Sequence, residues 1–391
     1  MIRWHELPLR RLAECWDYLR VPLNSEQRNE RPGAIPYWGA NSIQGYVDIP
    51  LVDEEVVLIG EDGAPFFDRN RPVAFHIDGP IWPNNHIHVL KPNGQTDARW
   101  LAYALNCVDY SRYIYGSTRD KLTQSALMRI VVAVPPTVEE QRTIADFLDR
   151  ETARIDTLIE EQQRLIDLLL ERRQATLDET IASLAATPVP LRRITDFLTS
   201  GSRGWGAYYS DEGERFLRIG NLPRHDLRLR GEIEHVDLPP EVTEGERTRL
   251  ELGDLLFSIT AYLGSVAVVD QTWINGYVSQ HVALCRLDSR AAEPRFIGWA
   301  MLTSAGQNQL QRGAAGGTKL QLALDDIRSL QVPLPSISEQ RRIANTLDSQ
   351  ISKIDTLVVE SDRFIELARE RRAALITAAV TGQIDVRDGV A

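Results

Sequence analysis

Residues that could act in catalysis occur in this chain, but their spacing completes neither of two catalytic motifs. An adenine methyltransferase needs a Pro-Pro-aromatic loop preceded by Asn, Asp or Ser, which holds the flipped base. The two Pro-Pro pairs, Pro135-Pro136 and Pro239-Pro240, have neither flank. A restriction nuclease core needs an acidic residue two positions before a lysine to hold metal at the phosphate, and no lysine here has one. We therefore expect no catalytic residue in this chain.

Metal and phosphate sites are not supported either. His86 and His88 could be two metal ligands on a strand, but no third ligand is near in sequence, so a hydrogen-bonding role is favoured. Gly313 to Lys319 does not match the phosphate-loop pattern and indicates a turn before a helix. The three cysteines form no Cys-x-x-Cys pair, which leaves a zinc ribbon or redox dithiol unsupported; they are Cys15, Cys107 and Cys285. We expect no metal and no cofactor in this chain.

The elements that must position the remaining polar residues belong to an internal duplication. Residues 140–175 recur at an offset of 199, with 19 identities in 36 positions. Pro8-Leu9-Arg10-Arg11 recurs as Pro190-Leu191-Arg192-Arg193, and Gly116-Ser117-Thr118 resembles Gly316-Gly317-Thr318. The chain is therefore two copies of one module, in which the globular parts diverged and a long helical part stayed alike.

Each conserved segment is predicted to be a long helix. The segments open with capping boxes, Thr137-x-x-Glu140 and Ser336-x-x-Glu339. Apolar residues at gaps of 3, 4 and 7 predict a coiled-coil seam through Ile144, Leu148, Ile155, Leu158, Leu165 and Leu169, and through Ile343, Leu347, Ile354, Leu357, Phe364 and Ala368. We predict polar breaks in the seam at Glu151, Gln162, Gln350 and Ser361. About 40 residues give a rod of roughly 60 Å, too long to be buried in one small domain, so we expect the two helices to pack antiparallel on each other.

The globular segments favour an α+β class with two mixed α/β domains. Short apolar runs bounded by turn residues predict strands at 51–60, 130–134 and 264–269, and helices are predicted at 100–110 and 295–311. The predicted boundaries are 1–136 for the first globular domain, 137–187 for the first long helix, 188–335 for the second globular domain, and 336–391 for the second long helix and tail.

The charge distribution leaves room for an anionic ligand despite a net charge of −11. Residues 136–187 contain 6 Lys+Arg against 12 Asp+Glu, a net −6, whereas 1–135 and 188–335 are each at −2 (14−16 and 16−18). A local basic face on either globular segment is therefore allowed. No apolar run approaches the length of a membrane helix, and we expect a soluble, cytoplasmic protein.

The chain resembles the specificity subunit of type I restriction-modification systems over essentially its whole length. The resemblance rests on Ile35–Val47, Val57–Gly63 and Asn85-His86 in the first half, on Phe216–Leu222 and Gly253–Leu256 in the second, and on the doubled Glu-Gln-Arg-x-Ile-Ala helix and the tail Val380–Val386. The first helix departs from this pattern because it lacks the Thr-Gly-Gln-Ile tail.

The resemblance implies that each globular domain reads half of a bipartite target in double-stranded DNA and that the helices set the gap between the halves. It also implies that the helices dock two methyltransferase subunits, which bind S-adenosylmethionine and methylate adenine. Separate restriction and translocase subunits would use ATP and Mg²⁺.

Candidate DNA contacts are polar or aromatic residues near glycine-rich loops, namely Tyr37, Asn41, Asn85, His86, Arg203, Trp205, Arg218, Asn221, Gln280 and His281. Alternatively, Tyr37 and Trp205 pack in the core, and Asn41 and Asn221 stabilise turns. Candidate spacer and docking residues are Glu140, Gln141, Arg142, Ile144, Leu148, Ile155, Leu158, Glu339, Gln340, Arg341, Ile343, Leu347, Ile354 and Leu357.

Three rival functions remain open from the sequence. The chain could serve a system that fuses cleavage and methylation in one partner. It could instead be a coiled-coil scaffold whose globular ends bind proteins. A self-sufficient methyltransferase is disfavoured by the missing motif.

Overall fold

The computed structural model describes residues 4–114, 120–261, 263–313 and 321–386. The chain forms two compact units, one made of residues 1–164 and 361–391 and the other of residues 165–360. Each unit therefore combines one globular region with part of each long helix. The Gly116–Thr118 echo and the glycine-rich stretch 314–319 lie outside the described residues.

The first unit contains ten strands and three short helices among its described residues. The strands are β1 (His5–Pro8), β2 (Ala13–Cys15), β3 (Ile35–Trp38), β4 (Ile43–Val47), β5 (Val52–Asp53), β6 (Val56–Gly60), β7 (Ala74–Ile77), β8 (Pro80–Pro83), β9 (Ile87–Pro92) and β10 (Val131–Val134). The helices are α1 (Ser25–Asn29), α2 (Ala98–Asn106) and α3 (Gln124–Leu127). The long helix α4 (Val138–Ala182) begins in this unit.

Two four-stranded sheets and a two-stranded ribbon organise the first globular region. One sheet has the order β2-β9-β6-β7 and the other β4-β3-β8-β5, while β1 pairs with β10. All five residues of β6, Val56 to Gly60, are buried, because this apolar strand is covered on both faces. Helix α2 packs Trp100, Leu101 and Leu105 into the same core. The region is a mixed α/β body with its ends brought together by the β1–β10 ribbon.

The second unit repeats the ribbon and one four-stranded sheet, and its other sheet differs in the place of one edge strand. Its strands are β11 (Pro188–Pro190), β12 (Thr195–Ser200), β13 (Tyr209–Ser210), β14 (Glu214–Leu217), β15 (Glu234–Val236), β16 (Leu255–Ser258), β17 (Val266–Val268), β18 (Tyr277–Val278), β19 (Val282–Leu287) and β20 (Gln331–Pro333). Its helices are α5 (Pro294–Leu302), α6 (Ser304–Gly313) and α7 (Leu324–Ser329), followed by the long helix α8 (Ile337–Val380). The sheet orders are β12-β19-β16-β17, β13-β15-β14-β18 and β11-β20. The duplication thus extends to the globular regions, although their sequences diverged.

Parallel pairing marks the same place in both regions. In the first, β3 pairs with β8 in parallel, with Tyr37 opposite Trp82. In the second, β14 pairs with β18 in parallel, with Phe216 opposite Tyr277. All other strand pairs among the described residues are antiparallel.

The single helix predicted over 295–311 is wrong in one respect, because Thr303 divides it into α5 and α6. The backbone of Thr303 is extended, with ψ at 159°. Its hydroxyl oxygen accepts a hydrogen bond from the Gly306 N–H at 3.1 Å and donates one to the Ala300 carbonyl at 2.7 Å. Threonine at this position caps a new helix, as its side chain favours. The strands predicted at 51–60, 130–134 and 264–269 are confirmed as β5–β6, β10 and β17.

The long helices begin at the predicted caps and run antiparallel. The Glu140 N–H donates to the Thr137 hydroxyl at 3.2 Å, and the Glu339 N–H to the Ser336 hydroxyl at 3.4 Å. The early part of α4 shares the first unit with the late part of α8, and the late part of α4 shares the second unit with the early part of α8. Two polar pairs join them, Arg372 to Asp156 and Arg173 to Asp355, each at 2.9 Å.

The predicted seam is correct at its ends and wrong in its middle. Leu158, Leu165, Leu357 and Phe364 are 41–48% exposed. The buried positions include instead Thr152, Ile166, Arg173 and Leu177 on α4, and Ile351, Ile365 and Ile376 on α8. The polar break predicted at Ser361 is confirmed by its burial, whereas the breaks predicted at Glu151 and Gln350 lie one residue before the buried Thr152 and Ile351. The seam of α4 passes through the polar residues Thr152 and Arg173 and through the predicted break at Gln162. Because the prediction favoured apolar residues, it assigned the exposed Leu158 and Leu165 to the seam. Ile144, Leu148, Ile155 and Leu169 and their copies Ile343, Leu347, Ile354 and Ala368 are buried as predicted.

Candidate nucleic-acid interface

A tight turn between β8 and β9 presents the polar residues of the first region. Asn84 is buried, and its N–H donates to the Trp38 carbonyl at 3.0 Å. The Asn84 side-chain oxygen accepts from the His86 N–H at 2.7 Å. This turn leaves Asn85 exposed and sets the His86 ring nitrogen Nδ1 2.6 Å from Asp62. Asn85 and His86, both predicted from sequence, therefore lie together on one surface.

An open groove of about 520 Å³ runs beside this turn. Helix α1 forms one wall, where Gln27 completes a capping box with Asn24 and Arg28 lies 5.0 Å above the Tyr37 ring. The polar side chains of Gln27, Arg28 and Gln44 line the groove with Asn85 and His86. Side chains that carry both donors and acceptors, such as Gln27 and Gln44, are of the kind that hydrogen-bond to base edges in the major groove of DNA.

A matching turn lies between β18 and β19 in the second region. Gln280 is half-buried and His281 is exposed. The His281 ring nitrogen Nδ1 lies 2.9 Å from the Thr260 hydroxyl, and its Nε2 lies 3.1 Å from the Gln280 amide. Arg203 is also exposed, while Arg218 is engaged with Glu234 at 2.7 Å. The second region thus brings Gln280 and His281 together, as the first does Asn85 and His86.

Three of the predicted DNA contacts are corrected by their burial. Tyr37, Trp205 and Asn221 are 2%, 4% and 3% exposed. The Tyr37 hydroxyl accepts from the Leu23 N–H and donates to the Leu23 carbonyl. Trp205 packs edge-on against Tyr277, and the Asn221 amide donates to the Arg230 and Glu232 carbonyls. Tyr37 and Trp205 therefore pack in the core, and Asn221 stabilises a turn, as the alternative interpretation of each residue predicted. DNA contact by Asn41, Asn85, His86, Arg203, Arg218, Gln280 and His281 stays a prediction.

Two further residues were not predicted from the sequence: Lys121 belongs to the turn surface of the first region, and Gln321 to that of the second. Lys121 forms a β-bridge with Asp62, and Gln321 forms one with Thr260. Both side chains are exposed. Their offset of 200 matches that of the Gly-x-Thr echo just before them, so extending the self-comparison by three residues could have found them.

His88 has a structural environment different from that of His86. It is 1% exposed, with Nδ1 2.6 Å from Asp17 and Nε2 2.7 Å from the Leu122 carbonyl. Cys15 lies beside this pair, within 4.8 Å. Burial, and then the charge of Asp17, raises the pKa of the Cys15 thiol to about 12. The two histidines thus bind different partners and do not converge on one metal.

The Glu-Gln-Arg segment at the start of each long helix anchors the helix to its own globular region. The Gln141 side chain accepts from the Asp97 N–H at 2.8 Å and donates to the Gln95 carbonyl at 3.2 Å. Gln340 does the same with Glu293 at 2.9 Å and Ala291 at 3.0 Å. Both glutamines are at most 1% exposed. Gln141, Ile144 and Leu148, and their copies Gln340, Ile343 and Leu347, are therefore structural rather than docking residues.

We predict that Gln141→Ala lowers the free energy of unfolding by about 1–3 kcal/mol, because the buried Asp97 N–H loses its acceptor. Gln163→Ala on the exposed side of α4 is the matched control, with a change of about 0.5 kcal/mol or less. Urea unfolding of both variants measures the difference. Equal stabilities would contradict the anchoring role.

Six exposed apolar side chains of the long helices form two sets of equivalent residues, three in each unit, and Leu170 and Val359 are exposed in the second unit in addition. The first unit exposes Leu158, Phe364 and Leu367 at 45%, 41% and 48%. The second unit exposes Leu357, Leu165 and Leu168 at 48%, 41% and 62%. Each member has its counterpart at the offset of 199. Large apolar side chains exposed at equivalent places of both units make these residues candidates for protein docking.

A family model described as the type I restriction modification DNA specificity domain matches residues 4–167 and 242–359. The chain belongs to this family. It is a specificity subunit of a type I restriction-modification system, and the resemblance inferred from the repeated motifs is confirmed. The α+β fold with two recognition regions and two long antiparallel helices is confirmed as well.

One relative of this specificity subunit matches it over most of its length, and another over about a third. A Haemophilus influenzae protein named as type I restriction enzyme specificity subunit S.HindORF215P is 26% identical, covering 93% of this chain and 91% of the relative. The Escherichia coli EcoprrI specificity subunit is 28% identical over 32% of this chain and 30% of its own length.

Two solved structures share the fold of this specificity subunit at 16% identity. One comes from work on complex assembly and conformational transition of the type I R-M system, with a TM-score of 0.74 and coverage of 98% of this chain and 99% of that one. The other is the HsdS subunit from Thermoanaerobacter tengcongensis, with a TM-score of 0.57 and 98% coverage of both chains. Among the described residues, no helix is both long and apolar enough to span a membrane.

Proposed function

We propose that the chain is the non-catalytic DNA-recognition subunit of its complex and that each globular region binds one half of a split target in double-stranded DNA. The observation that carries this proposal is the repeated turn surface, Asn84–His86 in one region and Ser279–His281 in the other, which follows a parallel strand pair in both. Two copies of one surface with different side chains suit two half-sites of different sequence.

The long helices are proposed to dock two methyltransferase subunits, one on each set of exposed apolar residues. Two equivalent sets, Leu158/Phe364/Leu367 and Leu357/Leu165/Leu168, favour two copies of one partner. The acidic excess of α4 would repel DNA phosphate and attract a basic protein surface. Arg142, Arg341 and the half-buried Glu140 and Glu339 flank the anchored ends and remain candidate docking residues.

The chemistry is assigned to the partners. The methyltransferase subunits would bind S-adenosylmethionine and methylate adenine, and restriction subunits would use ATP and Mg²⁺. This assignment is supported by the missing catalytic motifs in the sequence and by relatives that are themselves named specificity subunits.

The proposed function is tested by reconstituting the chain with its methyltransferase subunit, S-adenosylmethionine and a randomised duplex library. We expect methylation of adenines within a gapped motif, with one methylated adenine in each half on opposite strands. The isolated chain should transfer no methyl group. Transfer by the chain alone would restore the self-sufficient methyltransferase, and a continuous ungapped motif would contradict two separate half-sites.

We predict that Leu168→Glu combined with Leu367→Glu weakens methyltransferase binding by about 2 kcal/mol or more, because a charge replaces a desolvated apolar contact at each docking surface. Leu252→Glu is the control, since Leu252 is 58% exposed but lies on the second globular region. Sedimentation of the mixed subunits measures assembly. An intact complex with the double variant would place the docking surface elsewhere.

A further inference from the structure

The two turn surfaces are built by the same three backbone hydrogen bonds. In each region, the first residue of the turn donates its N–H to the carbonyl of the last residue of β3 or β14. The histidine carbonyl accepts from the N–H of the residue that directly follows β6 or β16. The carbonyl of that residue accepts from the N–H of Leu122 or Leu322. The bonds in the first region are Asn84 to Trp38, Glu61 to His86 and Leu122 to Glu61, at 3.0, 2.9 and 2.7 Å. In the second they are Ser279 to Leu217, Ile259 to His281 and Leu322 to Ile259, at 2.9, 3.0 and 3.0 Å. Side chains at equivalent positions therefore occupy equivalent places.

Three chain segments converge in each cluster, and a histidine is common to both. In the first region His86 contacts Asp62, which is bridged to Lys121. In the second, His281 contacts Thr260, which is bridged to Gln321. The histidine and the backbone are common to both clusters, whereas two positions differ: Asn85 corresponds to the half-buried Gln280, and Lys121 corresponds to Gln321.

The difference at the bridged position changes the hydrogen-bonding chemistry. The Lys121 ammonium is 52% exposed and is held by Glu61 at 3.0 Å. It has three donors and no acceptor, so donors remain for a ligand. Gln321 offers both a donor and an acceptor. In the major groove, lysine suits the two acceptors of guanine, while glutamine suits the acceptor and donor of adenine.

We propose that the clusters Asn85–His86–Lys121 and Gln280–His281–Gln321 are equivalent base-reading sites and that the Lys121/Gln321 difference makes the two half-sites differ at one base pair. Lys121 reads a guanine in the first half-site, and Gln321 reads an adenine at the corresponding place in the second. This proposal rests on the proposed function, and it adds which residues distinguish the halves.

The exchange variants Lys121→Gln and Gln321→Lys test this assignment in the full chain assembled with its methyltransferase subunit. Each variant methylates a randomised duplex library, and the methylated sites are sequenced. Lys121→Gln should reduce the preference for guanine at one position of one half-site by about 5- to 150-fold and leave the other half unchanged. Gln321→Lys should act reciprocally on the other half-site.

Lys91→Gln is the matched control, because Lys91 is a partly exposed lysine of the same region held by Glu54 at 2.7 Å. It should leave both half-sites unchanged. A uniform loss of methylation across all sequences with Lys121→Gln would indicate a phosphate contact and overturn the base assignment. Unchanged motifs in both exchange variants would also overturn it.

The outcomes separate this proposal from the function on which it rests. If the wild-type complex yields no gapped motif, the proposed function fails. If the wild type yields a gapped motif that the folded exchange variants reproduce without change, only the base-reading assignment fails. Asn85→Ala provides a second variant in the same cluster and should relax an adjacent position of the first half-site.

Discussion

Replacing Arg286 by Met is expected to lower the free energy of unfolding of the second unit by about 3 kcal/mol. Asp254 is 1% exposed and directly precedes β16, the strand that leads to Thr260. Its carboxylate accepts two hydrogen bonds from Arg286, both at 2.8 Å, and one from the Glu251 N–H at 2.8 Å. These bonds to Asp254 raise the pKa of Arg286, so the guanidinium stays charged. Removing it leaves a buried carboxylate with no counter-charge, whereas methionine preserves much of the apolar stem.

The control is Arg290→Met, which removes a similar pair at the surface. Arg290 is 87% exposed and lies 3.0 Å from Asp288, so its loss should cost about 0–1 kcal/mol. The double variant Arg286→Met/Asp254→Leu should recover most of the stability, because the unpaired charge is gone. Urea unfolding followed by tryptophan fluorescence measures all three variants. If Arg286→Met and Arg290→Met unfold at the same urea concentration, Asp254 does not depend on Arg286 for its charge balance.

The sequence predicted the duplication and the long helices well, because these depend on local patterns. The capping hydroxyls of Thr137 and Ser336 and the buried Ile144 and Ile343 follow from identity at a fixed offset and from helical spacing. The middle of the seam could not be found in this way. Arg173 is buried there because Asp355 and the His225 carbonyl satisfy it, and these partners are distant in sequence.

The candidate interface was harder to predict, since polar residues in loops serve either the ligand or the fold. Asn221 and Asn85 look alike in sequence, yet Asn221 is buried with both amide hydrogens donated to carbonyls and Asn85 is exposed. The offset of 200 could have paired Lys121 with Gln321, but their places beside Asp62 and Thr260 follow only from the β-bridges. Tertiary pairing, which periodicity does not encode, decides these roles.

Lengthening both long helices by one heptad is expected to widen the gap of the DNA target by about three base pairs. Seven residues add roughly 10.5 Å of helix, and base pairs are about 3.4 Å apart along the duplex. A heptad preserves the seam spacing. The insertions are placed after Arg164 in α4 and after Arg363 in α8. These positions face each other, because each lies midway between the Asp156–Arg372 and Arg173–Asp355 ion pairs. The half-sites should be unchanged, because no residue of either turn surface is altered.

A matched control inserts seven residues into α4 alone, which breaks the register between the two helices. This variant should lose stability and assembly rather than acquire a new gap. Comparing it with the double insertion separates the length of the helix pair from damage to its packing.

The most direct test of the account is the methylated motif of the double-insertion complex, read by sequencing a randomised duplex library after reaction with S-adenosylmethionine. We expect this motif to contain the two wild-type half-sites, separated by a gap that is about three base pairs longer than in the wild type. Retention of the original gap by a folded, assembled complex would contradict a spacer function for the helices, and altered half-sites would contradict independent reading by the two globular regions.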